Sequence, residues 1–368
     1  MTLREEVMAV LTYRKVGRLP VVHFGYWKET LEKWEREGHL THEEATKWHD
    51  GSPMDAVLNR KLGFDVGWYS VSGINAGLVP AFEPKVLETQ ADGTQLVRNW
   101  SGAIELHRPG AGSIPAEVGH TLKDRASWDV EFLPRLQEDP KRGTPVDPQW
   151  LASVDVPCSL HCGSLLGMIR NWIGMENLAY VYVDDEPLFR EMIDTVGNLC
   201  YRYVKERLSA GAKFDMGHFW EDICFKNGPL VSPAVFEEYV GPHYKRITQL
   251  LNAHGVEIVS VDCDGMIDAL IPTWFENGVN TMFPIEVGTW DASIAPWRTQ
   301  YGKELRGVGG MNKTVFAHDR KAIDREIERL KPLVDLGGYL PCPDHRIAPD
   351  AEWDNVRYYC DRMHQIFG

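Results

Sequence analysis

Residues 255–268 read GVEIVSVDCDGMID, and the reading of this stretch governs the reading of the chain. Val256, Ile258, Val259 and Val261 make a short β-branched run behind Gly255. That is the pattern of a strand buried on both faces, as in a parallel sheet. The run stops at Asp262-Cys263-Asp264-Gly265. Alternation along an extended chain puts Asp262 and Asp264 on one side and Cys263 on the other. Two carboxylates just past a buried strand are costly alone, so they bind something, accept hydrogen bonds or share a proton. A plainer reading has them cap a helix starting at Met266.

Outward from this stretch, strands and helices alternate. Strand candidates lie at 19–24, 66–70, 156–161, 212–218, 257–262, 280–286, 305–310 and 337–343. Helical spacing fills 187–208, 233–253, 266–276, 291–301 and 319–332, and an N-terminal helix and one over 28–37 precede them. Strand–helix units of this number predict a (β/α)8 TIM barrel rather than an open doubly wound sheet. Residues 84–118 break the rhythm: KVLETQ, TQLVRNW and AIELHR alternate around Asp92-Gly93 and Ser101-Gly102. This predicts an antiparallel β-hairpin excursion inserted into one barrel domain spanning 1–368. Nucleotide and metalloprotease fingerprints are absent: GVGGMN (307–312) fails GxGxxG, and HEEAT (42–46) lacks the second histidine of HExxH.

The composition, 43% hydrophobic and 25% charged over 368 residues, is that of a soluble globular protein. A formal charge of -14 argues against nucleic acid and anionic membrane as partners. Seven scattered cysteines without a CxxC pair indicate neither a zinc knuckle nor a disulfide framework. No signal-like apolar core opens the sequence and no apolar run reaches membrane length, so a cytoplasmic location is expected.

In barrels of this type the chemistry gathers at the carboxyl ends of the strands. There the sequence places His23, Tyr26 and Trp27, then His161 with Arg170 beyond it, then His218, Glu221 and Asp222. Asp262, Asp264, Glu286 and His345 follow, and these four are the expected catalytic set. Any one of them could merely cap a helix or pair with a neighbour; the set is what points to a site. Glu286 is framed by apolar residues in PIEVG, which raises a carboxyl pKa and suits a general acid. A salt bridge to Lys313 or Arg298 is the alternative. His345 lies between Pro343 and Pro349, whose stiffness lowers the cost of fixing an imidazole.

The runs IVSVDCDG, LIPTWFENGVNTMFPIEVG, YGKELRGVGGMNK and GGYLPCPDHRIAPD resemble the uroporphyrinogen decarboxylase superfamily, on the branch of the corrinoid-dependent methyltransferases. The resemblance extends to GSLLGMIRNWIGMEN and GPLVSPAVFEEYVGPHYKRI, and it implies a barrel. The decarboxylases carry an arginine-bearing signature after the first strand, where this chain has His23-Phe24-Gly25-Tyr26-Trp27. Porphyrinogen decarboxylation is therefore not expected. The methyltransferases hold zinc on a His-x-Cys pair and a later Cys; Asp262, Asp264 and His345 fall in those places here, implying a harder zinc site. The resemblance thus implies demethylation of a small methylated compound, a methoxyaromatic first. No DxHxxG sequence is present, so the corrinoid is expected on a separate protein. A metal-independent decarboxylase or lyase of a small acid is the alternative, and a non-catalytic corrinoid or tetrapyrrole binder is another. Thirteen tryptophans suit an aromatic or cationic substrate. The excursion at 84–118 is a candidate homodimer contact.

Overall fold

A computed structural model describes residues 1–368 except 69, 70, 73, 74, 111, 113 and 143–145. The last two residues of the 66–70 strand candidate, and two within the 84–118 excursion, thus lie outside the described residues.

The fold is α/β, built on a parallel sheet with helices. Seven strands pair in the order Tyr339–Pro343, Arg306–Met311, Thr281–Phe283, Ile258–Asp262, Met216–Trp220, Ser159–Gly163 and Val71–Ser72. Neighbours in space are neighbours in the sequence of parallel strands, as right-handed crossover units require. Val22–His23 pairs in parallel with Val66–Gly67. Beyond it, Tyr26 bridges in parallel to Ile347; the Trp27 N–H donates to the Ile347 carbonyl at 3.1 Å, and the Ile347 N–H to that of Gly25 at 2.9 Å. The segments that follow the first and last strands therefore meet.

Ile258–Asp262 is buried along its whole length, as its β-branched run dictates. Each such valine or isoleucine contributes about 1.5–3 kcal/mol by leaving water. The longest helix, Glu186–Ser209, begins where Asp185 accepts the Leu188 N–H and Pro187 occupies the first turn. It buries Leu188, Met192, Val196, Leu199 and Tyr203 along one stripe. Among the described residues no helix is long and apolar enough to cross a membrane.

Lys85–Thr89, Gln95–Arg98, Ala103–His107 and Ala116–His120 form a separate four-stranded antiparallel sheet. The first turn is held by Asp92, whose Oδ1 accepts the Thr94 N–H at 2.9 Å. The second is held by Asn99, whose Oδ1 accepts from the Ser101 and Ala103 N–H groups.

Candidate active site

The site is assembled by strand register. Asp262 pairs with Trp220, so two residues further along Asp264 stands opposite Asp222. The Asp264 N–H donates to Asp222 Oδ1 at 3.0 Å. Carboxylate oxygens of Asp222, Asp262 and Asp264 lie within 4.8 Å of one another. Asp262 is 2% exposed, and among the described residues its carboxylate accepts no hydrogen bond. One oxygen of Asp264, Oδ1, is likewise buried without a partner.

Such crowding opposes ionisation. Burial first, then the Asp264 charge, lifts the Asp222 carboxyl from its ordinary 3.8 to about 7. The same two causes push Asp262 well above the carboxylate range. Glu286 is raised by burial and by Asp264, and its Oε2 accepts the Gly265 N–H at 2.6 Å. Asp264 is therefore not the cap of a helix at Met266: that segment turns under Glu286, and the next helix starts only at Ile271.

His345 reaches this cluster from the last strand, with Nε2 at 3.2 Å from Asp264 Oδ2. Its ring stacks on Trp27, with centroids 5.4 Å apart and planes at 19°, and lies 5.3 Å from Phe24. Two aromatic neighbours and one carboxylate thus fix the imidazole. Phe24 continues onto Phe283 at 4.5 Å, and Phe283 onto His218 at 6.4 Å. Lys313 donates from Nζ to the Arg346 carbonyl at 3.1 Å, and burial lowers its pKa. Arg346 pairs with Asp50 at 2.6 Å. Gly25 makes room for that pair: its φ is +99°, and a Cβ there would sit 2.5 Å from the Arg346 guanidinium and 2.8 Å from Asp50.

Other expected residues take different places. The close triad is Asp222, Asp262 and Asp264, with Asp222 brought in by the register; of these three carboxylates the His345 imidazole reaches Asp264. Glu221 does not line open space. It is fully buried, and its carboxylate accepts the N–H groups of Leu165, Leu166 and Gly167 and the Tyr244 hydroxyl. It is a cap for the helix Gly167–Ile173. That helix carries Arg170, which donates to the Asp222 carbonyl at 2.7 Å.

His23 is 1% exposed and packs between Tyr26 and Phe64, with Nε2 3.5 Å from Asp55. Tyr26 is buried against Trp34 and Trp48. Neither faces solvent. His218 donates or accepts through Nδ1 with Ser260 Oγ at 2.7 Å, beside His161. Burial lowers His161 to about 4 and, with the nearby His161, His218 to about 3, so both are neutral imidazoles at physiological pH.

The polar groups thus gather beyond the carboxyl ends of adjacent parallel strands, where α/β folds bind small molecules. The model of the uroporphyrinogen decarboxylase (URO-D) family matches residues 155–366, and the chain belongs to that family. The matched span holds Asp222, Asp262, Asp264, Glu286 and His345; Phe24 and Trp27 precede it. A uroporphyrinogen decarboxylase of Thermus thermophilus is 24% identical over 201 residues, 54% of this chain and 54% of that one. One from Syntrophotalea carbinolica is 21% identical over 221 residues, 57% of each chain. The chain spans about half the length of these curated relatives. Among solved structures, a methyltransferase from Methanosarcina mazei superposes with a TM-score of 0.61 at 14% identity over 100% of both chains, a likeness of fold.

Proposed function

We propose that the chain is a corrinoid-dependent methyltransferase that demethylates a small methylated compound, a methoxyaromatic first, with a divalent cation held by Asp222, Asp262 and Asp264. The observation that carries this reading is the triad: three carboxylates within 4.8 Å, two of them driven up in pKa, demand a proton or a cation. An all-oxygen set with an orphaned Asp264 oxygen fits a cation that accepts carboxylate ligands, zinc included, better than it fits a thiolate-type centre. When bound, such a cation supplies Lewis acidity toward the substrate oxygen.

The remaining steps belong to the chain. His345, held by Trp27, Phe24 and Asp264, would turn its ring proton from Asp264 to the oxygen that departs as the methyl–oxygen bond breaks. A corrinoid reduced to Co(I), carried by a separate cytoplasmic protein, would supply the acceptor for the methyl cation equivalent. The architecture we propose for this chemistry is a single (β/α)8 domain, closed where Tyr26 meets Ile347, with 84–118 as an insertion.

Elemental analysis and a methyl-transfer assay with reduced cobalamin over a series of methoxylated aromatics test the proposal. About one divalent ion per chain, and demethylation lost on chelation, are expected. Metal-free protein that releases carbon dioxide from a small acid would replace this reading by the metal-independent decarboxylase, which the names of the curated relatives favour.

A further inference from the structure

The loop that carries Asp264 runs on into a second space. A cavity of about 500 Å³ opens between the segments after Ile258–Asp262 and Thr281–Phe283, lined in part by Met266, Asp268, Trp290, Asp291, Trp297 and Tyr301. Its volume lies within the range of small-molecule pockets. The lining holds two carboxylates and three aromatic rings, and no lysine or arginine among the described residues. Ile271 and Pro296 complete an apolar wall.

The polar atoms are specifically arranged. The Trp297 indole N–H donates to Asp268 Oδ1 at 2.6 Å, which orients that carboxylate and leaves Oδ2 for another partner. The Trp290 and Trp297 ring centroids lie 6.2 Å apart. The Trp290 indole N–H is buried, and among the described residues it has no acceptor. A buried donor without a partner is costly, so an acceptor brought by a ligand would relieve it. Burial first, then the charges of Glu276 and Asp268, raise the pKa of the Tyr301 phenol.

We propose that this cavity binds a small alkylated ammonium ion that also carries a hydrogen-bond acceptor. The indoles and the phenol offer their faces to the cation, Asp268 and Asp291 balance its charge, and the Trp290 N–H meets its oxygen. Methyl groups on nitrogen suit the apolar wall, and a quaternary ammonium needs no acceptors for N–H groups. The carboxylate triad is a separate site, so this inference stands whatever becomes of methyl transfer.

Calorimetric titration of the intact chain with choline, its uncharged isostere dimethylbutanol and tetramethylammonium tests it. Choline is expected to bind at least roughly tenfold more tightly than the alcohol, and more tightly than tetramethylammonium, which has no acceptor oxygen. Trp290→Leu should weaken choline binding roughly tenfold. Asp291→Asn, at an exposed left-handed position that asparagine tolerates, should weaken it several-fold. Choline binding no tighter than the alcohol, in the wild type alone, overturns the proposal. So does unchanged affinity in either folded variant.

Discussion

Asp222→Asn isolates the electrostatic cost of the triad. The side chain keeps its shape and its Oδ1, which still accepts the Asp264 N–H, and asparagine tolerates the positive φ of 47° at this position. In the wild type the carboxyl titrates near 7 in the folded chain and near 3.8 when unfolded. Folding therefore favours the protonated form. Below pH 3.8 both states are protonated and the group contributes nothing to the difference. As pH rises from there to about 7 the unfolded state ionises first, and stability is lost across that window.

The gap is about three pH units at about 1.4 kcal/mol each, an upper limit of about 4 kcal/mol. That shift already nets the Arg170 attraction against burial and Asp264, and the cost of burying the neutral amide in the carboxyl's place reduces the gain to roughly 2 kcal/mol. In urea unfolding at pH 8 with chelator, the asparagine variant should be more stable than wild type by that amount, and the advantage should shrink steadily toward pH 4. A divalent cation should reverse the order, because a ligand at 100 times its dissociation constant adds about 2.7 kcal/mol to the protein that binds it. A variant no more stable than wild type at pH 8 in chelator would refute the reasoning. So would an advantage independent of pH, which would mean the three carboxylates are already neutralised by something other than protons.

Other substitutions follow from the same geometry. Glu221→Ala should cost roughly 3–5 kcal/mol in urea unfolding, because three backbone N–H groups and the Tyr244 hydroxyl lose a buried acceptor. Gly25→Ala should cost roughly 1–3 kcal/mol, since a Cβ at φ +99° meets the Arg346–Asp50 pair; a neutral effect on the melting curve would show that this pair yields freely. His345→Gln should lower methyl-transfer turnover roughly 100-fold or more while leaving metal content and unfolding midpoint unchanged. Trp27→Leu should flatten the pH profile of turnover and lower kcat more than it raises KM, as expected when the imidazole loses its stacked support.

The sequence carried the parallel α/β pattern well because buried strands announce themselves by β-branched runs. Ile258–Asp262 lies within one residue of its expected place for that reason. Met216–Trp220 is displaced two residues from 212–218 at its end. Its inward side chains include His218, hydrogen-bonded to Ser260, so polarity there reads as the end of a strand although the strand continues. That shift is what hides the triad, since only the true end sets Trp220 against Asp262 and hence Asp222 against Asp264. Glu221 and Asp222, adjacent in sequence, then take opposite roles, one wholly consumed as a helix cap and one left beside two other carboxylates. No local pattern distinguishes them, because the difference is made by Gly167: a Cβ there would lie 1.7 Å from the Glu221 carbonyl. The glycine lets that helix terminus close on Glu221, and the site begins at the next residue.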